Sequence, residues 1–265
     1  MFRNKVTASL SQQRIQASRT RMTIQNPLLF FANFLIFFGP IFIVFYSFIG
    51  RQARLVLLCL SSGFYWLLLI LILSTIQYFA DLNQIPWIIV SCIVQECARI
   101  GLYFGLELIR PQLSMMAEKD GQPTTRSNSS VKDVYHDFAS GYGIGIISGL
   151  VQYIGPLVQS SGPGILVCAS CKSIDIYFIA SIVTCIFIGL NSLWSVTTYH
   201  AMKEKNYILL IWPTVSHLGA SFSTVMIGSA SIQGGCWFSI TILLILFMIE
   251  VAICVKIIRK LRKDQ

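Results

Sequence analysis

The sequence predicts an all-α, polytopic membrane protein: a bundle of seven transmembrane helices, N-terminus outside and C-terminus cytoplasmic. Three observations predict it. First, 55% of the 265 residues are hydrophobic and only 12% are charged, whereas a soluble domain carries roughly twice that charged fraction. Second, seven apolar segments, at 28–49, 55–79, 85–108, 138–159, 174–199, 206–228 and 234–256, each reach the ~20 residues that a helix needs to cross the hydrocarbon core. Third, Lys and Arg alternate by side. The connections after segments 1, 3 and 5, with the C-terminal tail, hold thirteen of them, and those after segments 2, 4 and 6 hold only Lys172. Cytoplasmic loops keep such residues, so topology accounts for the net charge of +9 and no nucleic-acid partner is expected.

Taken in order, residues 1–27 form a basic extension with Arg3, Lys5, Arg14, Arg19 and Arg21 and no acid. That charge opposes export, and no small-residue site makes it a signal peptide; a start at Met22 would leave a nearly neutral N-terminus that fits the topology. Residues 28–257 form the seven-helix domain. Gly39-Pro40 puts a kink in segment 1. Segments 2 and 7 are the clearest spans; segments 4 and 6 are the least apolar and are expected to be the most shielded by protein. Residues 109–134, rich in Ser, Gln, Thr and charge, read as a flexible cytoplasmic loop. Asn128-Ser129-Ser130 within it matches a glycosylation acceptor but is expected to stay unmodified on that side. Ser161-Gly162-Pro163-Gly164 closes segment 4 as a tight turn. Cys168 and Cys171 follow in the same outward loop, where a disulfide is permitted. Residues 258–265 form a short basic cytoplasmic tail.

Catalytic chemistry is not expected. Asp81, Asp120, Asp133, Asp137, Asp175 and Asp264 lie in loops or at helix ends, so no pair of aspartates faces across the membrane interior. No HExxH or GxSxG motif occurs, and His136, His200 and His217 lack metal-ligand spacing. Neither a metal nor a cofactor is expected.

The informative residues are the intramembrane polar and small ones. Gln95, Glu96 and Arg99 sit in segment 3, with Glu96 and Arg99 one helical turn apart. Charges at that depth pair or turn inward, and this pair reads as an internal lock. Glu250 is the other deep carboxylate, towards the cytoplasmic end of segment 7. His217 in segment 6 and Asn191 in segment 5 read as interhelical hydrogen-bonding groups. In SGYGIGIISG, Gly141, Gly145 and Gly149 recur every four residues. They drift by about 40° per step, forming one groove roughly 12 Å long. Such a groove admits another backbone closely, either a partner's or one of the chain's own helices. Gly143 points to a different side.

In this order the motifs resemble those of the anterior-pharynx-defective family, the seven-helix scaffold subunit of gamma-secretase. Phe38-Gly39-Pro40 resembles its FGP, and Phe64-Tyr65-Trp66-Leu67 its aromatic-Trp-Leu run. Gln95, Glu96 and Arg99 resemble its Gln-Glu-x-x-Arg, residues 140–149 its SGxxxGIISG, and Gly162-Pro163-Gly164 its GPG turn. Trp194 and Ser216-His217-Leu218 resemble its helix 5 and helix 6 signatures. The match runs from about residue 34 to 228, with the last helix agreeing only in hydropathy. One departure is chemical: the family usually has a histidine three residues before the helix 5 tryptophan, and Asn191 stands there. Asn hydrogen-bonds but does not titrate.

The resemblance implies a non-catalytic scaffold that binds presenilin and nicastrin, with the presenilin enhancer subunit joining through presenilin. The cutting aspartates would then be presenilin's, and the substrates type I membrane proteins such as Notch-like receptors. It implies residence in the endoplasmic reticulum, Golgi and plasma membrane, in contact with membrane lipid. Gly141, Gly145 and Gly149 are the expected assembly residues, supported by His217, Asn191, Gln95, Glu96 and Arg99. The alternative is an unrelated seven-helix receptor or small transporter.

Overall fold

A computed structural model describes residues 27–80, 83–119, 129–162, 166–172, 174–229 and 231–263, with side chains described outside 110–132. Among the described residues seven helices follow one another. They are α1 (Pro27–Val44, running into a π turn at Phe45–Ile49), α2 (Ala53–Ala80), α3 (Gln84–Lys119), α4 (Ser129–Gln159), α5 (Ile176–Glu204), α6 (Tyr207–Gly228) and α7 (Gly235–Lys263). Each contains a stretch long and apolar enough to cross a membrane. The connection expected over 109–134 is helical at both ends, because α3 continues to Lys119 and α4 begins at Ser129. Its middle, with Asn128, lies outside the described residues, as do Met22 and Asp81, Asp120 and Asp264.

Local chemistry sets several helix ends. Asp175 starts α5 by accepting the Tyr177 N–H at 2.7 Å, and Asn206 starts α6 by accepting that of Leu209 at 3.2 Å. Lys205, between α5 and α6, is left-handed at φ 54°, a conformation that closes a helix abruptly. Gly234, left-handed at φ 78°, precedes α7.

Two helices form the centre. Half of the spanning residues of α4 and of α5 are buried, against 28% in α6. The shielding expected of segments 4 and 6 therefore belongs to segments 4 and 5. The reason is geometric: α5 contacts α1, α4, α6 and α7, so most of its circumference meets protein. Its buried face can thus carry Ser181, Thr184, Asn191, Ser192, Ser195, Thr197 and Thr198 within an otherwise apolar helix. α4 lies between α5 and α2, and α3 packs mainly on α6.

The loop before α5 is tied down. Cys168 N–H donates to the Ile174 carbonyl (2.9 Å) and Gly234 N–H to the Ser170 carbonyl (2.8 Å). Cys171 forms a disulfide with Cys236 at the start of α7, while Cys168 stays a buried thiol. Pairing of Cys168 with Cys171 is thus replaced by a longer link that joins the loop before α5 to the first turn of α7 across 65 residues. A bridge closing such a loop restricts the unfolded chain, typically by about 2–4 kcal/mol. Cys236→Ser is therefore expected to lower the melting midpoint of the purified protein by several degrees. A reductant should do the same to the wild type and nothing further to the variant. Equal midpoints would show that the bridge contributes no stability.

Candidate functional site

Glu96 and Arg99 lie about 18 and 22 Å along α3 from Gln84 at 1.5 Å per residue, near the middle of its apolar span. At that depth an unpaired charge is expensive, and the structure surrounds both. Arg99 is fully buried and Glu96 is 5% exposed. Arg99 Nε lies 3.2 Å from Glu96 Oε2, an ion pair off-line for a hydrogen bond. The guanidinium's other nitrogens reach α5: Nη1 donates to the Asn191 carbonyl and to Ser195 Oγ, both at 2.8 Å, and Nη2 to Asn191 Oδ1 at 2.9 Å. Trp66 of α2 and Trp194 of α5 flank it, with ring centroids 5.6 and 5.8 Å from Cζ.

The other Glu96 oxygen, Oε1, lies 2.8 Å from His217 Nδ1 of α6. A carboxylate only accepts, which assigns the hydrogen to Nδ1. The His217 ring stacks on Trp194 at 4.6 Å. His217 and Asn191 therefore do not meet; they are joined through Glu96 and Arg99. One continuous seam, His217–Glu96–Arg99–Asn191, links α6, α3 and α5. With His217 neutral the seam carries no net charge, which is what a low-dielectric interior demands. Asn191 supplies Arg99 with an acceptor while its Nδ2 donates to the Phe187 carbonyl at 2.9 Å.

Glu250 belongs to this centre too. It is fully buried, accepting from Thr197 Oγ1 of α5 (3.2 Å) and Ser216 Oγ of α6 (3.3 Å). Sequence reasoning left it unassigned, although a signal existed. Cys236, Ser239, Glu250 and Cys254 are small or polar, fall on one face of α7, and are all buried.

Gln95 lies beside the seam and lines, with Asn191 and His217, a cavity of about 510 Å³ that reaches Gln84 and Gly228. Asp133 and Asp137 approach Lys203 at 3.7 and 3.0 Å. Among the described residues no group of three His, Cys, Asp or Glu is placed to hold a metal ion.

The glycine groove is filled from within the chain. A Cβ on Gly141 would lie 2.6 Å from Ser195 Oγ, on Gly145 2.7 Å from the Ile188 carbonyl oxygen, and on Gly149 2.7 Å from Ile188 Cδ1. All three neighbours are on α5. Gly143 faces the opposite helix, where a Cβ would overlap the Cys59 carbonyl oxygen of α2. Ser62 Oγ donates to the Ser140 carbonyl (2.9 Å) and Trp66 Nε1 to Ser148 Oγ (2.7 Å) across that same contact. The small residues of α4 thus bring α2 and α5 close on either side, and this closeness lets the Arg99 guanidinium sit between Trp66 and Trp194.

Comparison with known proteins points the same way. The chain is 29% identical over 202 residues to a gamma-secretase subunit Aph-1 of Drosophila melanogaster, covering 74% of this chain and 80% of that one. It is 24% identical to gamma-secretase subunit APH-1B of Homo sapiens over 74% and 77% of the two chains. Against a gamma-secretase subunit APH1-like of Arabidopsis thaliana it is 22% identical, over 84% and 90%. A family model described as Aph-1 protein matches residues 28–261, the entire bundle from α1 to the last turns of α7, and on that match the chain belongs to the Aph-1 family.

Proposed function

We infer that this chain is the non-catalytic scaffold subunit of a gamma-secretase, the intramembrane protease complex named in its relatives. The observation that carries this reading is the family match across all seven helices. The seam agrees with it. Buried charges that are paired with each other and hydrogen-bonded to neighbouring helices stabilise one arrangement of helices and present nothing reactive to a peptide bond. Its partners on this reading are presenilin and nicastrin, with the presenilin enhancer subunit joining through presenilin. Cleavage of type I membrane proteins such as Notch-like receptors belongs to the presenilin aspartates. The sites of action are the endoplasmic reticulum, Golgi and plasma membrane.

An N-terminus outside and a C-terminus in the cytoplasm fit the role. Two independent observations support that orientation. Lys and Arg gather at the end where α7 terminates. The Cys171–Cys236 bridge lies at the opposite end, and disulfides persist on the oxidising side of a membrane.

The test is affinity purification of the full chain from its own cells in mild detergent, followed by mass spectrometry. Presenilin and nicastrin are expected in near-equal amounts with the bait. Recovery of a lone monomer, or of a complex lacking both, would overturn the reading.

A further inference from the structure

The end of α7 is built differently from the other helix ends. A hydrocarbon core of about 20 residues measured from the exposed Trp237 ends near Ile257. The helix nevertheless continues to Lys263, so Arg259 to Lys263 stand at the depth of lipid headgroups. Lys256, Arg259, Lys260 and Lys263 fall within an arc of roughly 100° on one face. Lys260 is held by Glu204 of α5 at 2.7 Å, which brings that edge of the face to the α5 cap and Lys205. Lys205 is the one described residue other than glycine with positive φ, and its side chain is exposed.

Among the described residues, Glu204 is engaged by Lys260, and Asp133 and Asp137 by Lys203. Lys256, Arg259, Arg262 and Lys263 are all exposed. Among the described residues no carboxylate forms an ion pair with any of them. Ile258 and Leu261, both half-buried, lie on the opposite side of the helix, so the end of α7 is amphipathic, its basic face turned away from the bundle at the level where acyl chains meet headgroups.

We propose that the last two turns of α7, with Lys205 beside them, form a binding site for the headgroups of anionic phospholipids. The site depends on the helices spanning a membrane and is independent of the scaffold role. Four basic side chains at a membrane surface are worth on the order of several hundred-fold in affinity, and salt weakens such binding.

The purified full chain, with whatever subunits accompany it, is titrated with phosphatidylserine or with phosphatidylcholine of the same acyl chains. Retained lipid is counted by native mass spectrometry. Phosphatidylserine is expected to be retained at a concentration at least tenfold lower, and millimolar glycerophosphoserine should not displace it. The variant Lys256→Gln/Arg259→Gln/Arg262→Gln/Lys263→Gln should lose the preference at least tenfold while keeping the Cys171–Cys236 bridge. Lys172→Gln at the other end should change nothing. Equal retention of the two lipids, or a quadruple variant that still prefers phosphatidylserine, would overturn the proposal. Displacement by glycerophosphoserine would overturn it too, by revealing a site for free anions. Should the quadruple variant fail to fold, Arg259→Gln and Lys263→Gln singly are each expected to weaken the preference several-fold, and two unchanged singles would also overturn it.

Discussion

Gly145→Leu is expected to leave the chain inserted in the membrane but unable to close α4 onto α5. A Cβ at this position would already lie 2.7 Å from the Ile188 carbonyl oxygen and 3.1 Å from its Cα. Both are backbone atoms, so no rotamer change relieves the clash; α5 must move away. That separation would pull Asn191 and Ser195 from Arg99, because all three α5 residues lie within two turns. Overpacking a core typically costs about 1–3 kcal/mol, and displacing a backbone that also holds a buried ion pair places the expected loss at the upper end. Gly105→Leu is the control, since a Cβ at Gly105 meets nothing within 4 Å. The measurement is the melting midpoint of the chain purified alone, together with recovery of presenilin and nicastrin. Because the groove is filled by the chain's own α5, both readouts should fall together. Lost assembly with an unchanged midpoint would show that the glycines face a partner instead, and normal values for both would remove the groove from consideration.

Much of this architecture was legible because membrane thickness writes itself into sequence. The first span, expected at 28–49, is observed from Pro27 to Ile49, and the second, expected at 55–79, runs from Ala53 to Ala80. Hydropathy reports where lipid ends, however, and not where the helix ends. α3 accordingly continues to Lys119 through residues that read as loop. The pairing of Glu96 with Arg99 was legible as well, since one helical turn separates them. Their outer partners were not. Glu96 and His217 are 121 positions apart, and Arg99 and Asn191 are 92 apart, so those contacts follow from which helices neighbour one another. The same limit applies to the glycines, whose four-residue spacing announces a close approach without naming the helix that approaches. Cys171 is a sharper case: Cys168 is three residues away, and the bond forms instead with Cys236, brought near by the turn before α7.

Removing one member of the central ion pair should hurt unequally, depending on which side loses its charge. Glu96→Gln leaves Arg99 fully buried with only neutral acceptors, Asn191 and Ser195, and the next deep carboxylate, Glu250, is occupied by Thr197 and Ser216. Breaking a buried pair this way typically costs about 3–5 kcal/mol, so the variant is expected to be strongly destabilised and poorly assembled. Arg99→Gln leaves Glu96 against His217 at 2.8 Å, and the imidazole can carry the missing positive charge. Its expected loss is smaller, about half. The double variant Glu96→Gln/Arg99→Gln buries no net charge, and two amides can hydrogen-bond across the same gap. It should therefore be more stable than Glu96→Gln alone, a sign that no sum of independent losses can produce. His217→Phe added to Arg99→Gln should abolish the advantage of that variant, because it removes the group that restores neutrality. Melting midpoints of the four purified variants decide the matter. A double variant at or below the Glu96→Gln midpoint would mean that the two residues act through separate contacts. The seam would then be a set of independent hydrogen bonds and not a single neutralised unit holding α3, α5 and α6 together.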